Sequence, residues 1–177
     1  MTDSGSIYWI TGISGVGKTT VAHHLVVALR DLGVGVVHLD GDELRAMLAV
    51  EGSYTKEERR KLAFVYVRLC VLLARQGFTV VCSTISLFAD VRQWGRKNAP
   101  RWLEIYLTAP MSVIRNRDPK GIYAASADDN YAEIAGLHVE VELPENPDLY
   151  WENSGVRSPD AARDAILALA RRRGFLK

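Results

Sequence analysis

Apolar and polar positions in this chain switch repeatedly between a strand period and a helix period, and the switches delimit its elements. Residues 7–10 are a short apolar run ending before Gly12, followed by a glycine-rich turn and helical spacing over about 18–32. Residues 34–39 read as a second strand, bounded by Gly33 and by Asp40-Gly41. A long helix is expected from about Thr55, because Thr55 and Glu58 have capping-box spacing. Apolar positions then recur at Leu62, Ala63, Val65, Tyr66, Leu69, Leu72 and Leu73. Gly77 should end that helix, and residues 78–81 read as a third strand at the centre of the sheet. A helix over about 89–98, a strand over 102–107 and a short helix from about Pro110 follow.

The pattern fades over 117–147, which holds Pro119, Gly121, Gly136, Pro144 and Pro147; so long a stretch in a compact domain is expected to act as a lid. Residues 149–151 read as a last strand. Ser158-Pro159-Asp160 then predicts a C-terminal helix with a serine cap, proline at its first position and an acid in its first turn. Strand–helix alternation of this kind predicts an α/β fold with a parallel sheet covered by helices on both faces. With 177 residues, no internal repeat and no linker, a single domain over 1–177 is expected.

Composition narrows the classes. Hydrophobic residues at 48% and charged residues at 24% are an ordinary globular mixture. A net charge of +1 predicts no affinity for nucleic acid or for an anionic membrane, and no run approaches the roughly twenty apolar residues that span a bilayer. Arg171, Arg172 and Arg173 suit the carboxyl end of a helix rather than a nucleic-acid patch. The first strand begins too early for a signal peptide to precede it, and Cys70 and Cys82 lie in apolar segments as expected of buried reduced thiols. A cytoplasmic location is therefore expected.

The strongest chemical signal is Gly12-Ile13-Ser14-Gly15-Val16-Gly17-Lys18-Thr19, a full G-x-x-x-x-G-K-[ST] phosphate-binding loop between a strand and a helix. It predicts a P-loop NTPase-type fold. Backbone N–H groups of Gly12, Ser14, Gly15, Val16 and Gly17 converge on phosphate oxygens, and the helix N-terminus, with Lys18, Thr19 and Thr20, adds positive potential. Lys18 is expected at the β- and γ-phosphates of ATP, and the Thr19 hydroxyl on Mg²⁺.

Leu39-Asp40-Gly41-Asp42-Glu43-Leu44-Arg45 follows the second strand, where ligands of parallel sheets bind. Asp42 is placed to accept a proton from an attacking hydroxyl, to orient it or to help hold Mg²⁺; Arg45, a helical turn on, suits an anionic acceptor. Asp40 is read as a cap for the following turn. Arg117-Asp118-Pro119-Lys120-Gly121 opens the lid, with Arg117 able to stack on adenine and Lys120 to stabilise phosphate charge. Asp118 to Gly121 also matches a GTPase D-x-x-G, but it lies about a hundred residues beyond the P-loop and no N-K-x-D accompanies it, which excludes that class. His23 and His24 are neighbours on a helix and cannot both line one site, His38 reads as a core or edge histidine, and Trp94 and Trp102 as packing residues. No metal-ligand spacing joins the histidines and cysteines, and no histidine is placed to activate Ser86 as a nucleophile.

Together these elements resemble the adenylylsulfate (APS) kinase family in order and spacing over nearly the whole chain. The family's G-x-S-G-x-G-K-[ST], L-D-G-D-x-x-R, [FL]-I-S and R-D-P-K-G-[LI]-Y segments correspond to residues 12–19, 39–45, 84–86 and 117–123, and Pro144-Glu145-Asn146-Pro147-Asp148-Leu149 resembles the end of its lid. The resemblance implies ATP-dependent phosphorylation of a ribose hydroxyl, with Asp42 as catalytic aspartate and Arg45, Arg59, Ile85 and Ser86 at the acceptor. It also implies Tyr54 stacked on the acceptor base, Arg117 and Lys120 on ATP, and a homodimer.

Departures from the family pattern concentrate on the acceptor side. Leu62 stands for an asparagine, Ile134 for a base-clamping phenylalanine, Leu87 for a proline, and Ala124-Ala125-Ser126-Ala127-Asp128-Asp129 for a basic stretch. Loss of an aromatic stack removes about 1–3 kcal/mol of base binding, and aspartates disfavour a sulfate-bearing anion. Residues 84–88, 91–94 and 104–107 also resemble a branch encoded with surface-polysaccharide pathways, which includes cytidine diphosphoramidate kinases. The expected activity is Mg·ATP-dependent phosphorylation of a small nucleotide-like acceptor. The alternatives are a cytidine-directed kinase and a non-catalytic nucleotide-binding module.

Overall fold

The computed structural model describes residues 5–48, 55–118, 121, 140–155 and 158–176. Five strands, β1 (Ile7–Thr11), β2 (Val36–Asp40), β3 (Thr79–Thr84), β4 (Trp102–Thr108) and β5 (Leu149–Glu152), form one sheet in the order β2-β3-β1-β4-β5. Every pairing is parallel, so all five carboxyl ends lie along one edge. The helices are α1 (Lys18–Asp31), α2 (Gly41–Met47), α3 (Lys56–Arg75), α4 (Ala89–Asn98), α5 (Met111–Arg117) and α6 (Pro159–Arg172).

The apolar run of β1 conceals a two-residue alternation. Tyr8 and Ile10 join Val81, Leu103, Ile105 and Leu107 beneath α1 and α6, whereas Ile7 and Trp9 join Val80, Cys82 and Trp102 beneath α3 and α4. Trp9 stacks on Trp102 with ring centroids 5.5 Å apart, and Cys70 and Cys82 are free and buried in that same layer. The hydrogen bond with Cys70, together with burial, holds the Cys82 thiol well above its usual range. His24 Nδ1 lies 2.8 Å from Asp160 Oδ1 and ties α1 to α6.

The structure adds α2 where the sequence predicts only a turn, and it differs from the sequence expectation in where two strands begin, in which strand is central and in how α6 is capped. β2 begins at Val36 rather than 34, and β3 at Thr79 rather than 78. Gly33 and Gly77, both left-handed, close α1 and α3 with paired bonds (Val34 N to Leu29 O, Gly33 N to Arg30 O; Phe78 N to Leu73 O, Gly77 N to Ala74 O), so Val34 and Phe78 belong to helix caps. The sheet is centred on β1, with β3 interior beside it. Ser158 precedes α6 as expected, but its side chain makes no capping hydrogen bond; Pro159 at the first turn has no N–H to satisfy. The Thr55–Glu58 capping box is present.

Two oppositely charged side chains are buried together against the sheet. Arg92 Nε lies 2.9 Å from Glu104 Oε1, with both side chains buried beside β4. Burial lowers the Arg92 pKa, and Glu104 counters part of that effect. Asp148 accepts from the Glu104 N–H and pairs with Arg96 and Arg173, so one of the three terminal arginines anchors the chain while Arg171 and Arg172 are exposed. No helix among the described residues is long and apolar enough to cross a membrane.

Gly95 on α4 faces this core. A Cβ there would lie 2.5 Å from the Trp102 ring and 2.8 Å from Val67. Gly95→Ala is therefore expected to lower stability by about 1–3 kcal/mol in urea denaturation, despite alanine's better helix propensity. A stabilised variant would show that Trp102 can move.

Candidate active site

The loop between β1 and α1 is built by close approach. A Cβ on Gly12 would lie 2.3 Å from the Leu107 carbonyl oxygen, so only glycine lets the chain pass β4 there. Val16 is fully buried and anchors the loop from below, and Gly17 enters α1 at φ 91°. Lys18 Nζ donates to the Ile13 carbonyl at 2.8 Å, across the loop. The expected cradle of Gly12, Ser14, Gly15, Val16, Gly17, Lys18, Thr19 and Thr20 thus sits at the carboxyl end of the central strand, with Thr19 and Thr20 exposed.

Register brings Asp40 opposite Ser83 at the neighbouring strand ends. The Asp40 carboxylate accepts from Thr19 Oγ1 at 2.8 Å, from Ser83 Oγ at 2.8 Å and from the Asp42 N–H at 2.9 Å. Burial alone would raise its pKa; the three hydrogen bonds outweigh that effect and hold it below the usual carboxylate range. Asp40 caps α2 as expected from the sequence, and it also holds the Thr19 hydroxyl. Behind it, His38 Nε2 lies 3.4 Å from Ser83 Oγ. Burial, as the largest influence, lowers the His38 pKa on this edge strand.

Asp42 and Arg45 stand on α2, roughly half exposed, as an ion pair one helical turn apart. Arg45 thus makes a surface ion pair, and makes it beside the P-loop. Ile85 and Ser86 follow β3; the Ile85 carbonyl accepts from the Thr11 hydroxyl, and Ser86 is buried at φ 24° with its hydroxyl 2.8 Å from that of Thr84. A serine at positive φ is strained and is held by its surroundings. Arg59 lies in the first turns of α3. Tyr54, Lys120, Ile134 and 124–129 lie outside the described residues, as does most of the expected lid.

Arg117 ends α5 beside the P-loop, its Nη1 about 4.0 Å from where a Gly17 Cβ would be; that nitrogen is buried with no hydrogen-bond partner among the described residues. A residue the sequence reading missed lies opposite. Asn153, directly after β5, donates from Nδ2 to the Val16 carbonyl at 2.8 Å. Its position at a carboxyl strand end was the available signal.

The oxygen donors suit Mg²⁺. The Thr19 hydroxyl, an ionised Asp40 and Asp42 are hard ligands, and no group of three His, Cys, Asp or Glu among the described residues forms a cage. Mg²⁺ is commonly held by one or two such groups with phosphate oxygens and water.

Ionised Asp40 predicts a pH signature. With its folded pKa depressed, its stabilisation is present above the unfolded value of about 4 and lost as pH falls through the folded pKa. Wild type should exceed Asp40→Asn by about 1–3 kcal/mol near pH ~7 in urea denaturation, with the gap closing in acid. A pH-independent gap would show that charge is not the source.

Residues 4–152 match the family model described as adenylylsulphate kinase. A probable adenylyl-sulfate kinase of Pyrococcus abyssi is 35% identical over 97% of this chain and 98% of its own length. An adenylyl-sulfate kinase of Chloroflexus aurantiacus is 35% identical over 96% of this chain and 91% of its own. The Mycobacterium tuberculosis APS kinase CysC, solved in complex with AMPPNP and APS, superposes with a TM-score of 0.86 at 29% identity, covering 95% of this chain and 98% of that one.

Proposed function

The chain belongs to the adenylylsulphate kinase family, and we propose that residues 1–177 act as a single kinase domain moving the γ-phosphoryl of ATP to a ribose hydroxyl of adenylylsulfate. The observation that supports this most directly is the joining of the P-loop to the acidic turn through Thr19 and Asp40, which places Asp42 and Arg45 beside the phosphate cradle. The solved relative that binds AMPPNP and APS supports the same pair of ligands here.

In this reading the backbone of residues 12–17 and Lys18 hold the phosphates, and Arg117 takes the adenine. Thr19 and Asp42 would hold Mg²⁺, with Asp40 fixing the Thr19 hydroxyl; bound Mg²⁺ neutralises charge on the transferring group. Asp42 orients the acceptor hydroxyl and accepts its proton as the oxygen–phosphorus bond forms and ADP leaves. Arg45 exchanges its pairing with Asp42 for the acceptor's anionic group, and Arg59, Ile85, Ser86 and Tyr54 complete the acceptor site. Lys120 stabilises phosphate charge as the lid excludes water. The reaction is placed in the cytoplasm, and the homodimer implied by the resemblance belongs to the same proposal. Sedimentation as a monomer alone would remove the dimer without touching the chemistry.

A second reading has its own support. Leu62, where the family has asparagine, packs against the α3-side core and offers the acceptor no hydrogen bond. That favours a smaller, cytidine-type acceptor such as cytidine diphosphoramidate. ADP release with Mg·ATP and each acceptor separately decides between them. Turnover with APS is the expected result; turnover with the cytidine compound alone moves the assignment to it. Firm ATP binding with no transfer to either would indicate a non-catalytic module. In the productive reaction, Asp42→Asn should lower kcat about 100-fold or more with little change in the KM for ATP. An unchanged kcat would remove Asp42 from the chemistry.

A further inference from the structure

Asn153 is 8% exposed and follows the last strand of the sheet, outside the motifs that identify the site. Its backbone N–H donates to the Thr108 carbonyl at 2.7 Å, fixing its main chain against the end of β4. Its side chain reaches across the sheet edge, and Nδ2 donates to the Val16 carbonyl at 2.8 Å. The approach is close enough that a Cβ on Gly17 would lie 2.6 Å from Nδ2. Gly17 is thus required twice, for its φ of 91° and for room for this amide.

The bond bears on the Val16–Gly17 peptide plane. A trans peptide is planar, so its C=O and N–H point in opposite directions. A donor that holds the Val16 carbonyl outward, toward β5, therefore turns the Gly17 N–H inward, into the concavity of the loop. The Val16 side chain is buried and anchors the Cα on one side of this peptide, leaving the orientation of the plane itself to the Asn153 bond. Gly17 itself caps α1: its carbonyl, in the next peptide, accepts from the Val21 N–H and fixes the chain on the far side of the Gly17 Cα.

We propose that Asn153 is a positioning residue for the nucleotide. Its carboxamide locks the Val16–Gly17 peptide so that the Gly17 N–H stands ready for a β-phosphate oxygen. The proposal rests on the nucleotide reading of the P-loop and adds a residue and a ligand atom to it. It does not involve the adenine, the acceptor or the proton transfer. Asn153 acts on the diphosphate through another group and touches no reacting atom.

Binding of ADP and of AMP to wild type, Asn153→Leu and Asn153→Ser separates the possibilities. AMP has no β-phosphate, so loss of the lock should weaken ADP about tenfold in Asn153→Leu. AMP affinity and the KM of the acceptor should remain near wild type, and Asn153→Ser, which keeps a shorter donor, should lie between. Equal weakening of ADP and AMP would assign Asn153 to the base or ribose and overturn the proposal, as would unchanged ADP affinity in Asn153→Leu. Should the variants fold poorly, the wild-type protein answers alone. Its Gly17 amide should be protected from hydrogen exchange by ADP and not by AMP, and equal protection by both, or by neither, overturns the lock. Failure of wild type to bind ADP at all would instead defeat the parent nucleotide reading.

Discussion

A carboxylate buried in protein must be hydrogen-bonded or it will take up a proton, and the arrangement of this site follows from how Asp40 meets that demand. Its oxygens accept from Thr19 on α1, from Ser83 on β3 and from the α2 backbone at Asp42. Three elements that are distant in sequence are thereby drawn to one point at the carboxyl edge of the sheet. The anion also sits where the P-loop threonine presents its hydroxyl, so satisfying a buried charge and orienting a phosphate site are the same interaction.

The sheet makes this convergence possible. Its strands are parallel, with β1, β3 and β4 buried on both faces, so every carboxyl end faces the same side and each loop leaving that edge is available to the site. Beneath the edge, the two helical layers divide the strand side chains by alternation, and the Arg92–Glu104 pair with Asp148 holds β4 to the segment that returns into β5. That return delivers Asn153 to the back of the P-loop. The phosphate loop is consequently gripped from both sides of β1, by Asp40 across β3 and by Asn153 across β4.

Donor and acceptor halves of the site differ in how they are held. The donor half is pinned by buried groups: Val16, Asp40, Ser83 and Asn153. The acceptor half, in the function proposed above, rests on α2 and the start of α3, where Asp42 and Arg45 are roughly half exposed and pair with each other. Exposed pairs cost little to exchange for a substrate anion. A scaffold of this kind keeps one phosphate donor while the acceptor side is free to change, which is where Leu62, Ile134 and 124–129 depart from the family pattern.

The sequence by itself determined most of the elements (α2, read only as a turn after Asp40, is the exception), the parallel α/β class and the phosphate loop, because those depend on local chemistry. Hydrophobic period sets helix or strand, glycine spacing sets the loop, and the Thr55–Glu58 box sets a helix start within a few residues. It also marked Asp40 as a cap, a role that needs only the next two residues. The hold of Asp40 on Thr19, the closure of Ser83 on that carboxylate and the reach of Asn153 to Val16 were decided only by tertiary structure. Their partners lie 21, 43 and 137 positions apart. Strand order and register bring such groups together, and side-chain hydrogen bonds between distant segments leave no periodic trace in the chain.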